Sequence, residues 1–400
     1  MHVTGKKITL TLLIMVLALY LGVKPFRFQV RQIKASILSK LPISSKYFGP
    51  PKSMQSYSLL TAAEHGICAI TPYMNGGSYT PKDPLLHKEL GTLSVLNSEL
   101  LCLKQARIYG QEGVVITKGD CALTETCLYY GRQRAQHPVF AKLTLGKVQH
   151  YSGSVGSALT RSHNYYFHWM LEVLPKIIML QECCEPSSKI LIGSLSQPFQ
   201  FKSLQLLGID LERIIEVEKK AHIEADTLIY PHIPNEGALR PLWAKEKILP
   251  YFNLPPELPQ NKKIFISRSL ANSRRIQNEE EIYQILAPQG YELVHLEELS
   301  LRDQALLFFQ ASHIIAPHGG GLTNLIFSRP GTRILEINHI EYRNSWFSLL
   351  CDQWNIEYSQ FITSTKSLKG EKQPHPPHPH DLFMPVHVIT EQLAQWAAAP

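Results

Sequence analysis

Residues 313–337 read HIIAPHGGGLTNLIFSRPGTRILEI, and this succession of apolar run, glycine turn and apolar run decides how the rest of the chain is read. Residues 313–316 have the length and β-branched content of a buried strand, 322–327 those of a short helix, and 333–337 those of the next strand. A strand that enters a helix through Gly319, Gly320 and Gly321 lets backbone N–H groups approach an anion at the positive end of the helix dipole. His318, the three glycines, Thr323 and Asn324 are therefore candidates for seating a diphosphate. Glu336, near the end of the following strand, is placed to bond ribose hydroxyls as in dinucleotide sites. A tight structural turn is the competing reading of the glycines alone.

The same alternation extends in both directions. Strand 263–267, helix 278–286, strand 292–296 and helix 301–310 lead into strand 313–316, and helix 346–354 and strand 356–361 follow, which describes a doubly wound domain over 262–365. Ser267, Arg268 and Ser269 end its first strand. Arg268 thus emerges on the carboxyl edge where the glycine turn opens and can neutralise a diphosphate, with Arg274 and Arg275 as weaker candidates. Four prolines between Pro250 and Pro259 mark a linker over 251–261. Before it, helix 165–184, strand 189–192, helix 199–207 and strands 213–217 and 227–230 form another α/β series. With the less regular, strand-rich stretch from 42 to 150, it makes an N-terminal α/β domain over 42–250. Residues 367–381 include QPHPPHPHD; alternating prolines there impose extended backbone, so 366–382 reads as a solvated linker and not a metal site. A terminal helix at 386–398 closes the 383–400 segment.

Composition removes several function classes. The 400 residues are 44% hydrophobic and 18% charged, which leaves ample apolar material for a core and excludes disorder. The formal charge of +7 arises from residues 1–40, where Lys6, Lys7, Lys24, Arg27, Arg31, Lys34 and Lys40 face no acid. The remaining body is neutral overall, so a nucleic-acid partner is not supported. Residues 8–23, ITLTLLIMVLALYLGV, carry no charge, and a helix of that length spans about 24 Å. They read as a single-pass membrane anchor, with 1–41 forming the anchor and a basic juxtamembrane segment; a cleaved secretory signal and a peripheral or buried helix are the alternatives. The flanking cations favour a body on the cytoplasmic side, with the secretory-pathway lumen as the alternative.

A second polar constellation lies at 163–172, HNYYFHWMLE. On a continuous helix Asn164, His168 and Glu172 share one face, and a histidine backed by a carboxylate is a competent general base. A satisfied buried network is the bland alternative.

Taken together, HNYYFHWMLEVLPKI, ISRS, HGGGLTNLIF and RILEI resemble glycosyltransferase family 61 over roughly residues 150 to 345. Glu172 stands where the family usually carries aspartate, and one extra residue precedes His168. The resemblance implies a GT-B-like pair of Rossmann-type domains and an inverting transfer from a nucleoside-diphosphate sugar to a hydroxyl of a glycan or glycoconjugate acceptor. It assigns the base side to His168 and Glu172 with Asn164, the diphosphate to Arg268, His318, the glycine turn, Thr323 and Asn324, and the ribose to Glu336. No cofactor is required and a metal is not expected: helix dipole and cations typically stabilise the leaving group in such enzymes, and no D-x-D motif stands beside a candidate strand. A rival reading is a non-catalytic, membrane-tethered nucleotide-sugar-binding protein, favoured by the Glu172 departure. Another is an NAD-dependent oxidoreductase, although its glycine fingerprint usually follows the first strand of its domain and this turn follows the third.

Overall fold

The glycine turn sits inside a sheet built from five short apolar runs. In the computed structural model, which describes residues 50–129, 133–142, 144–234, 242–341, 344–364 and 380–398, these are Lys262–Ile266, Tyr291–Val294, Ala311–Pro317, Arg333–His339 and Glu357–Thr363. All neighbouring pairs are parallel, and the spatial order, counted along the sequence, is second, first, third, fourth, fifth. Parallel strands require crossovers, supplied here by helices Glu279–Leu286, Leu301–Gln310 and Trp346–Gln353 and the 3-10 helix Gly320–Phe327. Glu279, Glu280 and Glu281 occupy the first turn of their helix, where its dipole favours acids. The Ser300 side chain caps the next helix by accepting from the Asp303 amide.

Side-chain alternation along these strands faces two separate cores. Ile264, Ile266, Ile314 and Ala316 join one buried cluster with Phe308 and Phe327, whereas Phe265, Ile315, Leu335 and Ile337 join another with Ile282, Leu286, Ile389 and Trp396. The terminal helix Val386–Ala398 covers the second face, as expected from its apolar residues. Most of the proline- and histidine-rich linker lies outside the described residues. Its end is not solvated as anticipated, because Asp381 is buried in an ion pair with Arg275 (2.8 Å) and Leu382 bridges to Ile276.

The N-terminal part combines parallel α/β pairing with the strand-rich stretch expected before residue 150. Among the described residues ten of its strands form a mixed sheet, and Gly77–Tyr79 and Leu93–Val95 pair with each other as a separate ribbon. His222–His232, Gln149–Ser157, Lys189–Ile192 and Ile214–Glu216 follow one another in parallel, but His222–His232 also pairs antiparallel with Ser98–Lys104 and Arg107–Tyr109. Most of the strands in the irregular region before residue 150 therefore belong to the same sheet. Its short strands alternate with turns, and hairpin-like antiparallel pairing needs no helical crossover.

The two sheets are joined by apolar packing. One buried cluster runs from Phe167, Trp169 and Ile177 of the N-terminal part to Leu322, Leu325 and Phe327 of the C-terminal part. The proline-rich linker contributes to it: Leu249–Phe252 is a 3-10 turn, and the buried Phe252 ring lies 4.5 Å from that of Phe327. Truncating such an aromatic to alanine costs about 3–5 kcal/mol. The segment read from the sequence as a membrane anchor lies outside the described residues; among those described, no helix is long and apolar enough to cross a membrane.

Candidate functional site

In a parallel sheet of this order the strand direction of the connections reverses between the first and third strands, and a crevice opens outside their carboxyl ends. Ser267 and Arg268 leave the first strand there, and His318 and Gly319 leave the third. The structure brings the two together: a Cβ on Gly319 would stand 2.4 Å from Arg268 Nη1. Gly319 has φ 173°, an extended conformation open to any residue, so glycine is needed there for proximity. Gly321 is similarly close to Leu296, whose Cδ1 would lie 2.7 Å from an added Cβ, while Gly320 is exposed. Arg268, Leu296, Glu297, Pro317 and Gly321 help line a small cavity of about 40 Å³.

The Arg268 loop is pinned from below. Ser267 Oγ donates to Glu279 (2.7 Å), and Ser269 Oγ lies within hydrogen-bond distance of both Ser267 Oγ (3.0 Å) and His295 Nε2 (2.9 Å). The guanidinium itself donates through Nε and Nη2 to the Ser273 carbonyl, both at 3.3 Å. Burial, and then the charge of Arg274, lower its pKa to about 10. A cation held against a neutral carbonyl keeps its charge to offer to an anionic ligand. Arg275 is committed elsewhere, to Asp381.

Three of the residues read from the sequence as donor-binding lie buried. Thr323 and Asn324 are buried beneath the turn, and Asn324 Oδ1 accepts from Tyr166 OH (2.6 Å) while its Nδ2 donates to Gln304 (2.8 Å). Asn324 thus ties the glycine turn to the helix carrying His168. Glu336 is wholly buried and presents no oxygen to a ribose: one oxygen accepts from His318 Nδ1 and the other from Tyr358 OH. Asn344 Nδ2 lies 3.4 Å from His318 Nε2, which agrees with the tautomer protonated at Nδ1. Burial and the Glu336 charge raise the Tyr358 pKa. Strand alternation was legible here, but which face Glu336 enters depends on the neighbouring helices.

The helix expected over 165–184 is continuous but not uniform. An α-turn at Tyr166–His168 leads into a π-turn at Trp169–Val173 and then α-helix Leu174–Cys183. Pro175 lacks the N–H that would bond Leu171, and its ring crowds that carbonyl, so the wider turn forms just before it. The π-turn carries Glu172, whose Oε1 lies 3.0 Å from His168 Nδ1, both residues being buried. The His168 ring also packs near Phe167 and Trp346. Asn164 does not share this face. The helix is capped at Tyr165, so Asn164 precedes it and is exposed, beside a neighbouring pocket of about 640 Å³.

Glu172 reaches a pocket of about 570 Å³ walled by the strand-rich region, with Tyr57, Glu99, Glu125, Arg134, Lys176, Tyr230 and His232 among its lining. Both pockets are of ligand size, and both touch Glu112 and Arg161, which pair at 3.6 Å. Tyr166 and Lys176 were not singled out from the sequence. A lysine inside the apolar run LPKII was the available signal for the latter.

Comparison with known proteins accords with this arrangement. Residues 166–335 match the family model Glycosyltransferase 61. A beta-1,2-xylosyltransferase of Arabidopsis thaliana is 33% identical over 97 residues, 21% of this chain and 18% of that protein. A beta-1,2-xylosyltransferase of Oryza sativa subsp. japonica is 35% identical over 60 residues, 15% of this chain and 11% of that protein. The chain thus spans less than a fifth of the length of the curated relatives it matches.

Proposed function

From a glycosyltransferase 61 domain over residues 166–335, we propose that this chain is an inverting glycosyltransferase with a GT-B-like cleft. It moves a sugar from a nucleoside-diphosphate donor to a hydroxyl of a glycan or glycoconjugate. The xylosyl group named in both relatives makes a pentose the first donor to test. The observation that carries the reading is the approach of Arg268 to Gly319 at the strand switch point, linked through Asn324 and Tyr166 to the helix of His168 and Glu172.

In this reading the donor diphosphate lies over the exposed Gly320, with its charge met by Arg268 and the turn amides. The acceptor enters the 570 Å³ pocket, where Glu172 takes the proton of the attacking hydroxyl. The new bond forms at the anomeric carbon as the bond to the diphosphate breaks, and the electron pair leaves with the nucleoside diphosphate. His168 donates Nδ1–H to Glu172 and fixes the carboxylate's direction. Glu336 acts through His318, whose ring it holds beside the turn.

The test is NMR of the full chain in detergent with UDP-xylose and other nucleoside-diphosphate sugars, each with a glycan panel. An α-configured donor should yield a β-linked product. Glu172→Gln should lower turnover about 10³-fold, and Glu172→Asp, the residue the family usually carries, should keep most of it. Donor binding without any turnover would favour the non-catalytic binding protein. We also propose membrane attachment through residues 8–23 with the body on the cytoplasmic side: alkaline extraction should leave the chain in the membrane, and protease added outside intact cells should spare it.

A further inference from the structure

Among the described residues, Lys176 is the lysine buried below a tenth of its full exposure, at 8%. It stands one turn beyond Glu172, and its Nζ donates to the Leu159 carbonyl (2.9 Å) and Thr160 Oγ1 (3.1 Å) at the pocket wall. Both acceptors are neutral, and the Tyr230 ring centroid lies 5.4 Å away. Glu172 is the charge that acts on it. An ammonium removed from water at this depth is costly unless compensated, and an apolar side chain would fill the space without that cost. Its site is therefore built around the charge.

The remaining ionisable groups facing it come from every wall of the pocket. Tyr230 and His232 project from His222–His232, Arg134 from the turn Arg134–Gln136, Glu125 from Thr124–Thr126 and Glu99 from Ser98–Lys104. Tyr57 and the paired Glu112 and Arg161 complete the lining, so that three further acids, Glu99, Glu112 and Glu125, face two arginines, and the Lys176 charge is what offsets Glu172. Without it the pocket would favour a protonated, non-basic Glu172.

We propose that Lys176 is a positioning residue of the transfer reaction, its ammonium fixed to the pocket wall by Leu159 and Thr160 so that Glu172 stays ionised as the base. This rests on the glycosyl-transfer reading above. The acceptor proton moves to Glu172, the hydroxyl oxygen bonds the anomeric carbon and the diphosphate departs; Lys176 neither gains nor loses a proton in the step. Burial brings the Lys176 pKa down to about 8, so its charge disappears as pH rises through that value.

The experiment is a pH–rate profile, from pH 5 to 10, of sugar transfer or donor hydrolysis by the full chain with the nucleoside-diphosphate sugar that wild type turns over. Wild type, Lys176→Arg, Lys176→Met and Lys176→Gln are compared. Lys176→Met should move the acid limb, where Glu172 ionises, up by about one pH unit, and Lys176→Arg, which stays charged, should leave it where wild type has it. Lys176→Gln, uncharged but still able to donate to Leu159 and Thr160, should move the limb as Lys176→Met does, which keeps the test available if Lys176→Met does not fold. An acid limb unmoved in both uncharged variants would overturn the role while leaving the transfer reading intact. Absence of turnover in every wild-type reaction would overturn the transfer reading and this role with it.

Discussion

Replacing Gly319 by alanine tests the proposed diphosphate seat through its tightest contact. The added Cβ would stand 2.4 Å from Arg268 Nη1 and 3.1 Å from Cζ, whereas unstrained heavy-atom contacts begin near about 3.5 Å. The guanidinium must therefore retreat by about 1 Å. The backbone pays nothing, because Gly319 is extended at φ 173°, and the obstacle is the far end of a flexible side chain. Thermal unfolding of the ligand-free protein should consequently change little. Ligand binding should change much more: a hydrogen bond between a charged pair is worth about 1.5–3 kcal/mol, so losing it weakens nucleoside-diphosphate affinity roughly 10- to 100-fold. Calorimetric titration of wild type, Gly319→Ala, Arg268→Ala and the double variant separates the causes. If the methyl acts by displacing Arg268, the double variant binds within about 0.5 kcal/mol of Arg268→Ala alone. Fully additive losses, or wild-type affinity in Gly319→Ala, would refute the reasoning.

Other consequences are as direct. Tyr166→Phe leaves Asn324 Oδ1 without its 2.6 Å donor and should cost about 1–3 kcal/mol in denaturant unfolding. Asp381→Ala breaks the buried pair with Arg275 that secures the approach to the terminal helix, with a loss of about 3 kcal/mol and earlier proteolysis of the last residues. For Lys176 the folded pKa of about 8 lies below the ordinary lysine value of 10.5, so between those pH values the unfolded chain binds the extra proton. Unfolding free energy should then rise with pH across that window, by about 3 kcal/mol relative to Lys176→Met, in paired chemical-denaturation curves. Glu336→Gln should weaken nucleoside-diphosphate binding severalfold and lower stability by about 1–3 kcal/mol, because its partners His318 and Tyr358 are matched to a carboxylate.

What the sequence determined by itself is the C-terminal sheet and its carboxyl-edge turns. Strand and helix lengths there follow from local apolar runs punctuated by glycine and proline, so helix 301–310 and strand 333–337 were readable to within a residue or two of Leu301–Gln310 and Arg333–His339. Glycines at 319–321 and an arginine at 268 likewise stand on the edge their positions in the chain imply. Tertiary structure alone decided which of the candidate side chains stay open and which are engaged by protein partners. Glu336 and Asn324 belong to the right elements, yet packing turns both inward to partners 18 or more positions away. Pro175 converts an expected α-turn to a π-turn, and helix initiation at Tyr166 removes Asn164 from the His168 face. The mixed sheet and the burial of Lys176 depend on strand pairs and walls drawn from residues far apart in the chain. Periodicity records how one segment divides its own faces between core and solvent; it carries no record of which distant segment will form the opposite wall.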